Sequence, residues 1–124
     1  LGKVLLAALS TGDVDRVLAE PSRSGITPRW QPGRDERDAE LAQVRARGWA
    51  LTDEKLAPGI RSVAAPLRDG SGRVIAAVNV NAHAAETSVD RLVHEHLPLL
   101  LATAGEISAD FARRAALPHV TRPA

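Results

Sequence analysis

Asn79 and Asn81 stand two residues apart in the run VIAAVNVNAHAAETS, Val74 to Ser88, whose apolar part otherwise reads as a buried strand. Asparagine forms strands poorly, and a buried amide without a partner costs a few kcal/mol. A strand repeats every two residues, so both amides face the same way. Two amides side by side can hydrogen-bond the oxygens of a small ligand. The other polar residues offer less. His94 and His96 are two apart on a helical segment and do not share a face, and neither H-x-x-x-H nor H-E-x-x-H occurs. Asp53 and Glu54 are adjacent and point apart on a strand, which disfavours a catalytic dyad. The serines lack a G-x-S-x-G setting. GSGR at 70–73 lacks the longer glycine pattern of a phosphate loop. Nothing assembles nucleophile, base and oxyanion donors, so binding is favoured over catalysis and no metal or cofactor is expected.

The elements that must carry the asparagines can be read from period and punctuation. Residues 3–9 form a short apolar helix closed by Ser10 and Gly12, and Asp13 to Ala19 a second, stopped by Pro21. The stretch 22–33 is rich in Pro, Gly and Ser and reads as loop. RDERDAELAQVRARG follows as a charged helix with Leu41 and Val44 on its buried side and Gly48 beyond its end. GWALT, 48–52, is a short strand. IRSVAAPL (60–67) and RVIAAVNVNA (73–82) are two strands joined by the turn signal Asp69-Gly70-Ser71-Gly72, an antiparallel hairpin. Ser88 heads a long helix with an acid, Asp90, in its first turn. Its apolar stripe is Val89, Leu92, Val93, Leu97, Leu100, Ala104, Ile107 and Phe111. Pro98 lies inside that helix and should bend it.

A turn centred on Gly70–Ser71 pairs Arg68 with Arg73, Ser62 with Asn79 and Ile60 with Asn81. One face then carries Val63, Ala65, Leu67, Val74, Ala76, Val78 and Val80, a bed for helices. The other carries Ile60, Ser62, Ala64, Pro66, Ile75, Ala77, Asn79 and Asn81. It is small and mixed, with its polar groups at one end. That second face suits a wet sheet face, a protein–protein interface or the floor of a small-molecule pocket. It lacks the Lys, Glu, Thr and Arg usual on a wet face.

Composition bounds the rest. The chain has 124 residues, 44% apolar and 25% charged, which fits one ordinary globular domain. Basic and acidic residues number 16 and 15, a balance that gives no field for grasping nucleic acid. There is no cysteine, which fits a cytoplasmic location, and no apolar run of the ~18–20 residues a membrane span needs. The chain has no Met and enters mid-helix, so a fragment of something longer is expected.

The run from Arg45 to Ser108, with the opening LGKVLLAALS, strongly resembles the C-terminal effector-binding domain of IclR-type bacterial transcriptional regulators. The pattern RxxGWAxxDEExxxGIRSxAxPxRDxxGxVxAAxNVxxH carries the likeness. Its later part looks most like the subgroup that controls aromatic catabolism through the β-ketoadipate pathway. The resemblance implies an α+β, GAF-like domain: an antiparallel sheet with helices packed on it, here lacking its first strands. It implies an effector domain over 1–116 with a flexible tail over 117–124. It further implies a small carboxylic acid effector, possibly aromatic, a homodimer or tetramer, and DNA contact only through a missing N-terminal winged helix-turn-helix. Its effector positions fall on Leu1, Thr52 (where relatives frequently have Asp), Ile60, Ser62, Asn79 and Asn81. Arg61, in the GIRS motif, faces away from Ser62, so a structural role is at least as natural as ligand binding. A purely structural oligomerisation module with a vestigial pocket is the alternative.

Overall fold

The computed structural model describes residues 1–20, 32–55 and 57–117. Most of the loop expected over 22–33, and the tail beyond Leu117, lie outside the described residues.

Three strands, β1 (Ala50–Asp53), β2 (Ile60–Arg68) and β3 (Val74–His83), form one antiparallel sheet in the order β1-β2-β3. β2 is the middle strand and is buried on both faces: Val63, Ala64 and Ala65 are each at most 2% exposed. A strand covered on both sides loses the apolar–polar alternation, which is why VAAPL reads as a continuous apolar run.

Helices α1 (Gly2–Ala7), α2 (Thr11–Ala19) and α3 (Arg34–Arg47) supply the core on one face, where Val4, Ala7, Val14, Leu41 and Val44 meet Ala50 and Ala64. α2 begins two residues before its expected start because the Ser10 hydroxyl accepts the Asp13 N–H at 3.2 Å and caps it. α3 ends where expected, at Gly48, whose φ of 82° is a left-handed conformation that glycine adopts without steric cost.

The other face packs on a continuous helical run: α4 (Val89–Arg91), a π turn over Leu92–His96, and α5 (Leu97–Ala115). The Ser88 hydroxyl caps it by accepting the Arg91 N–H at 3.1 Å. Pro98 lies in the first turn of α5, directly after the π turn, in which the Leu97 N–H bonds the Leu92 carbonyl five residues back. The widened turn accommodates a ring that has no N–H to donate. It also rotates everything after it by roughly one residue, about 100°. Leu92, Leu97, Leu100 and Ala104 meet Val63 and Ala65 as the stripe predicts; past Ala104 it is Ser108 that faces β2, its hydroxyl accepting the Arg68 N–H, and Ile107 and Phe111 are 40% and 44% exposed.

The hairpin register differs from expectation by two residues. Ser62 pairs with Asn81, Ala64 with Asn79, and Ile60 with His83. The Asp69 carboxylate is the cause. Its Oδ1 accepts the Ser71 N–H at 2.9 Å, the Ser71 hydroxyl at 2.6 Å and the Arg73 N–H at 3.0 Å. These bonds stabilise a loop over residues 69–73, closed by the Asp69 N–H donating to the Arg73 carbonyl, with Gly72 at a φ of 86°. They also hold the Asp69 carboxyl below its ordinary value of 3.8, the Ser71 hydroxyl contributing most. A bulge then sets Arg68 against Val74 but Leu67 against Ala76. The extra residue reverses the alternation locally, so Val74, expected on the α5 face, lies on the α1 face beside Pro66 and Ile75. Beyond the bulge the slip totals two, an even number, and every side chain keeps its expected face.

Candidate functional site

The face under α1–α3 is divided. Its middle is closed by small residues: Ala50, Ala64 and Ala77 pack against α1 and α3. Toward the open end of the hairpin, the cover that α1–α3 give stops among the described residues. There Thr52 of β1 pairs with Ser62 of β2, and Ser62 with Asn81 of β3, so hydroxyl, hydroxyl and amide lie in one row across the sheet. In the next row Asn79 stands opposite Ala64, itself opposite Ala50. Facing neighbours within a row are ~5 Å apart, within the reach of one small ligand. Thr52 and Ser62 are partly buried and Asn81 is exposed, so the row is a shelf rather than an enclosed chamber.

The asparagines hold each other. Asn79 Nδ2 donates to Asn81 Oδ1 at 2.9 Å. The bond orients both amides and leaves Asn79 with its carbonyl oxygen, and Asn81 with its NH₂, to offer a ligand. Of the remaining expected positions, Ile60 sits one row further out against His83. Leu1 heads α1, which packs on β2 and β3, but its carbonyl already accepts the Val4 and Leu5 N–H groups at 3.1 and 3.2 Å. The structure thus gathers Thr52, Ser62, Asn79 and Asn81, and leaves Ile60 and Leu1 at the edges.

One neighbouring feature escapes sequence reading. Lys3 is only 7% exposed, and its Nζ donates to Glu40 Oε1 at 2.6 Å and to the Leu51 carbonyl at 3.2 Å, next to Thr52. One buried cation thereby ties α1 to α3 and to β1. Its only sequence signal was the Gly-Lys step of the opening motif. Arg61 works on the opposite face. Its Nε donates to Asp53 Oδ1 at 2.6 Å, and its Nη1 to the carbonyls of Ala84 and Thr87 at 3.1 and 3.0 Å. That fixes the approach to the Ser88 cap, a structural role. Glu54 is structural too: at a φ of 57°, its carboxylate accepts the Gly59 N–H at 2.7 Å and closes the β1–β2 connection.

The family model for the bacterial transcriptional regulator IclR C-terminal domain matches residues 1–109. The chain belongs to the IclR family. Among curated proteins this IclR domain is 35% identical over 107 residues to the Pca regulon regulatory protein of Pseudomonas putida, covering 86% of this chain and 37% of that protein. Among solved structures it resembles a transcriptional regulator from Rhodococcus sp. RHA1, with a TM-score of 0.79 and 39% identity over 91% of this chain and 46% of that one. It also resembles the inducer-binding domain of PobR from Acinetobacter, a double mutant in complex with 3-hydroxybenzoic acid. The TM-score there is 0.77 at 27% identity, over 86% of this chain and 63% of that one. The IclR domain spans only about a third of the first curated relatives it matches. Those relatives are transcriptional regulators rather than enzymes, and the α+β fold of helices on an antiparallel sheet is theirs.

Proposed function

We propose that residues 1–116 sense a small aromatic or dicarboxylic acid at the shelf formed by Thr52, Ser62, Asn79 and Asn81, with Leu1 and Ile60 at its margins. The observation that carries this reading is the polar row itself: two hydroxyls and a coupled amide pair, side by side, at the open end of the hairpin, on a stretch of that face not closed by α1–α3. PobR, a relative in fold, holds 3-hydroxybenzoic acid in its inducer-binding domain, and a Pca regulator is a relative in sequence. Both support an oxygen-rich aromatic or ring-derived acid. Asn81 Nδ2 and the two hydroxyls donate toward carboxylate oxygens, while Asn79 Oδ1 accepts from a ligand hydroxyl. The bound acid favours one arrangement of α1 against the sheet, and this bias reaches DNA-binding modules of the winged helix-turn-helix kind elsewhere in a cytoplasmic regulator.

Calorimetry and thermal unfolding with 3-hydroxybenzoate, protocatechuate, catechol, muconate and β-ketoadipate test the reading. A ligand at 100 times its dissociation constant stabilises the domain by about 2.7 kcal/mol. Joint replacement Asn79→Ala and Asn81→Ala weakens the binding acid at least about tenfold, since it removes charge-assisted and neutral hydrogen bonds together. Unchanged affinity in that variant removes the amides from the site.

A second reading is an oligomerisation module whose site has lapsed. The exposed Leu99, Ile107 and Phe111 on α5 favour a homodimer or tetramer through that helix. Sedimentation, with no thermal response to any acid, would favour it over sensing.

A further inference from the structure

At the turn end of the hairpin, opposite to the polar shelf, lies a cleft of 640 Å³ between α1, the ends of α2 and α3, and the strands β2 and β3. That volume is within the range of small-molecule sites. Pro66, which lines the cleft, is four residues along β2 from Ser62, so the two places are roughly 13 Å apart. Its floor is apolar, built by Val4, Val44, Pro66 and Val74. Two of its walls are large apolar side chains left in water: Leu5 is 43% and Ile75 45% exposed.

Its charge is uneven as well. Among the described residues, Arg16, Arg34, Arg37, Arg61, Arg91, Arg113 and Arg114 each hold a carboxylate. Arg45, Arg47, Arg68 and Arg73 hold none, and of these only Arg47 lies away from the cleft, stacked on Trp49. Arg45 reaches the carbonyls of Ala7 and Leu9 at 2.7 and 3.4 Å, and Arg68 that of Gly72 at 2.9 Å. The Arg73 guanidinium makes no hydrogen bond within the described residues. Asp13, the one acid among the described residues lining the cleft, is paired with Arg16, and nearby Asp69, although the Arg73 charge helps lower its pKa, has its carboxylate turned into the loop. In a chain with 16 basic and 15 acidic residues, three arginines that form no ion pair among the described residues have been gathered at one apolar hollow.

We propose that this cleft is a second ligand site, separate from the polar shelf, for an organic anion with an apolar body. The carboxylate meets Arg73 and the unused nitrogens of Arg68, and an aryl or short alkyl group covers Ile75, Leu5 and the floor. A planar guanidinium matches a carboxylate with two parallel hydrogen bonds. Burying Ile75 and Leu5 adds a hydrophobic contribution in proportion to the apolar area removed from water. A neutral ligand forgoes the first contribution and an inorganic anion the second.

The test is a two-dimensional amide NMR titration of the protein with 2-naphthoate, alongside the neutral 2-naphthylmethanol. Saturable shifts are expected at Gly72, Arg73, Val74, Ile75 and Ala8. The alcohol should bind at least about tenfold more weakly, and Arg73→Gln should weaken naphthoate by a similar factor, because each loses a charge-assisted pair. Among the described residues the Arg73 guanidinium has no hydrogen bond to lose, and its backbone bonds to Asp69 are untouched by the substitution, so this variant keeps its fold, which its own spectrum verifies. Ile75→Glu, which puts an acid against the apolar body, should abolish binding. Shifts confined to Thr52, Ser62 and Asn81 overturn the proposal, because they put the anion on the shelf instead. So do naphthoate affinities that Arg73→Gln and Ile75→Glu leave unchanged, or the absence of any saturable shift at millimolar ligand.

Discussion

The two faces of the sheet solve the same burial problem with different materials. Under α5, Leu92, Leu97 and Leu100 meet Val63, with Leu67, Val78 and Val80 around them, a seal made of branched side chains. Under α1–α3, the sheet contributes Ala50, Ala64 and Ala77, so those helices approach on small residues. The first face is apolar from Val63 to Leu67 and from Ala76 to Val80, with the Arg61–Asp53 pair at its edge. The second is closed only in its middle, with hydroxyls and amides at one end and arginines at the other. One face is built to be sealed, the other to be visited. The same hairpin serves both because alternate residues serve opposite sides.

This contrast breaks first where large residues fill space. Leu92, with no exposed surface, lies at the centre of the α5 core. Leu92→Ala should lower unfolding free energy by about 3 kcal/mol through lost transfer energy and the remaining cavity. Denaturant unfolding measures this, and the shelf face should keep its amide spectrum in the surviving folded population. On the other face the sensitive change runs in the opposite direction. Ala64 is 2% exposed, beneath α1 and α3 and opposite Asn79. Ala64→Leu should cost about 2 kcal/mol by overpacking and displace Asn79 from its bond to Asn81. Equal tolerance of both substitutions would mean that the faces do not differ as described.

The sequence reading fared unevenly, for physical reasons. Periodicity is a local property, and the elements that depend on it were legible: α3 with Gly48, the hairpin, the Ser88 cap, and the membership of each face beyond the bulge, at which Val74 alone changed sides. The partners across the hairpin were not. They depend on how many residues the turn consumes, and the Asp69 carboxylate, by accepting three bonds, makes it consume more than the Gly-Ser centre suggested. The slip of two spared the faces and changed the neighbours, so Ser62 meets Asn81 rather than Asn79. The α5 stripe held through Ala104 and failed beyond it, where the helix turns Ser108 rather than Ile107 toward β2. The shelf residues owed their selection to the family pattern as much as to strand parity. The arginine cleft had no sequence signature, since Arg45, Arg68 and Arg73 converge only through tertiary packing.

The smallest expected effect sharpens the account of register. Asp69 is partly buried, and its carboxyl is held below 3.8 chiefly by the Ser71 hydroxyl, with the backbone N–H groups of Arg73 and Ser71 adding to it. A carboxyl lowered in the folded state stabilises that state at pH above the unfolded value. The contribution disappears as pH falls through the lower folded value. Acid should therefore loosen the 69–73 loop before the rest of the hairpin, seen as a titration of the Ser71 and Arg73 amide shifts with a midpoint below 3.8. Asp69→Asn should abolish that titration and leave the α5 core unmoved, since an amide oxygen can still accept from the loop but carries no charge. If those amides instead titrate in the ordinary carboxylate range, the Asp69 bonds do not hold the loop, and the two-residue shift in pairing needs another cause.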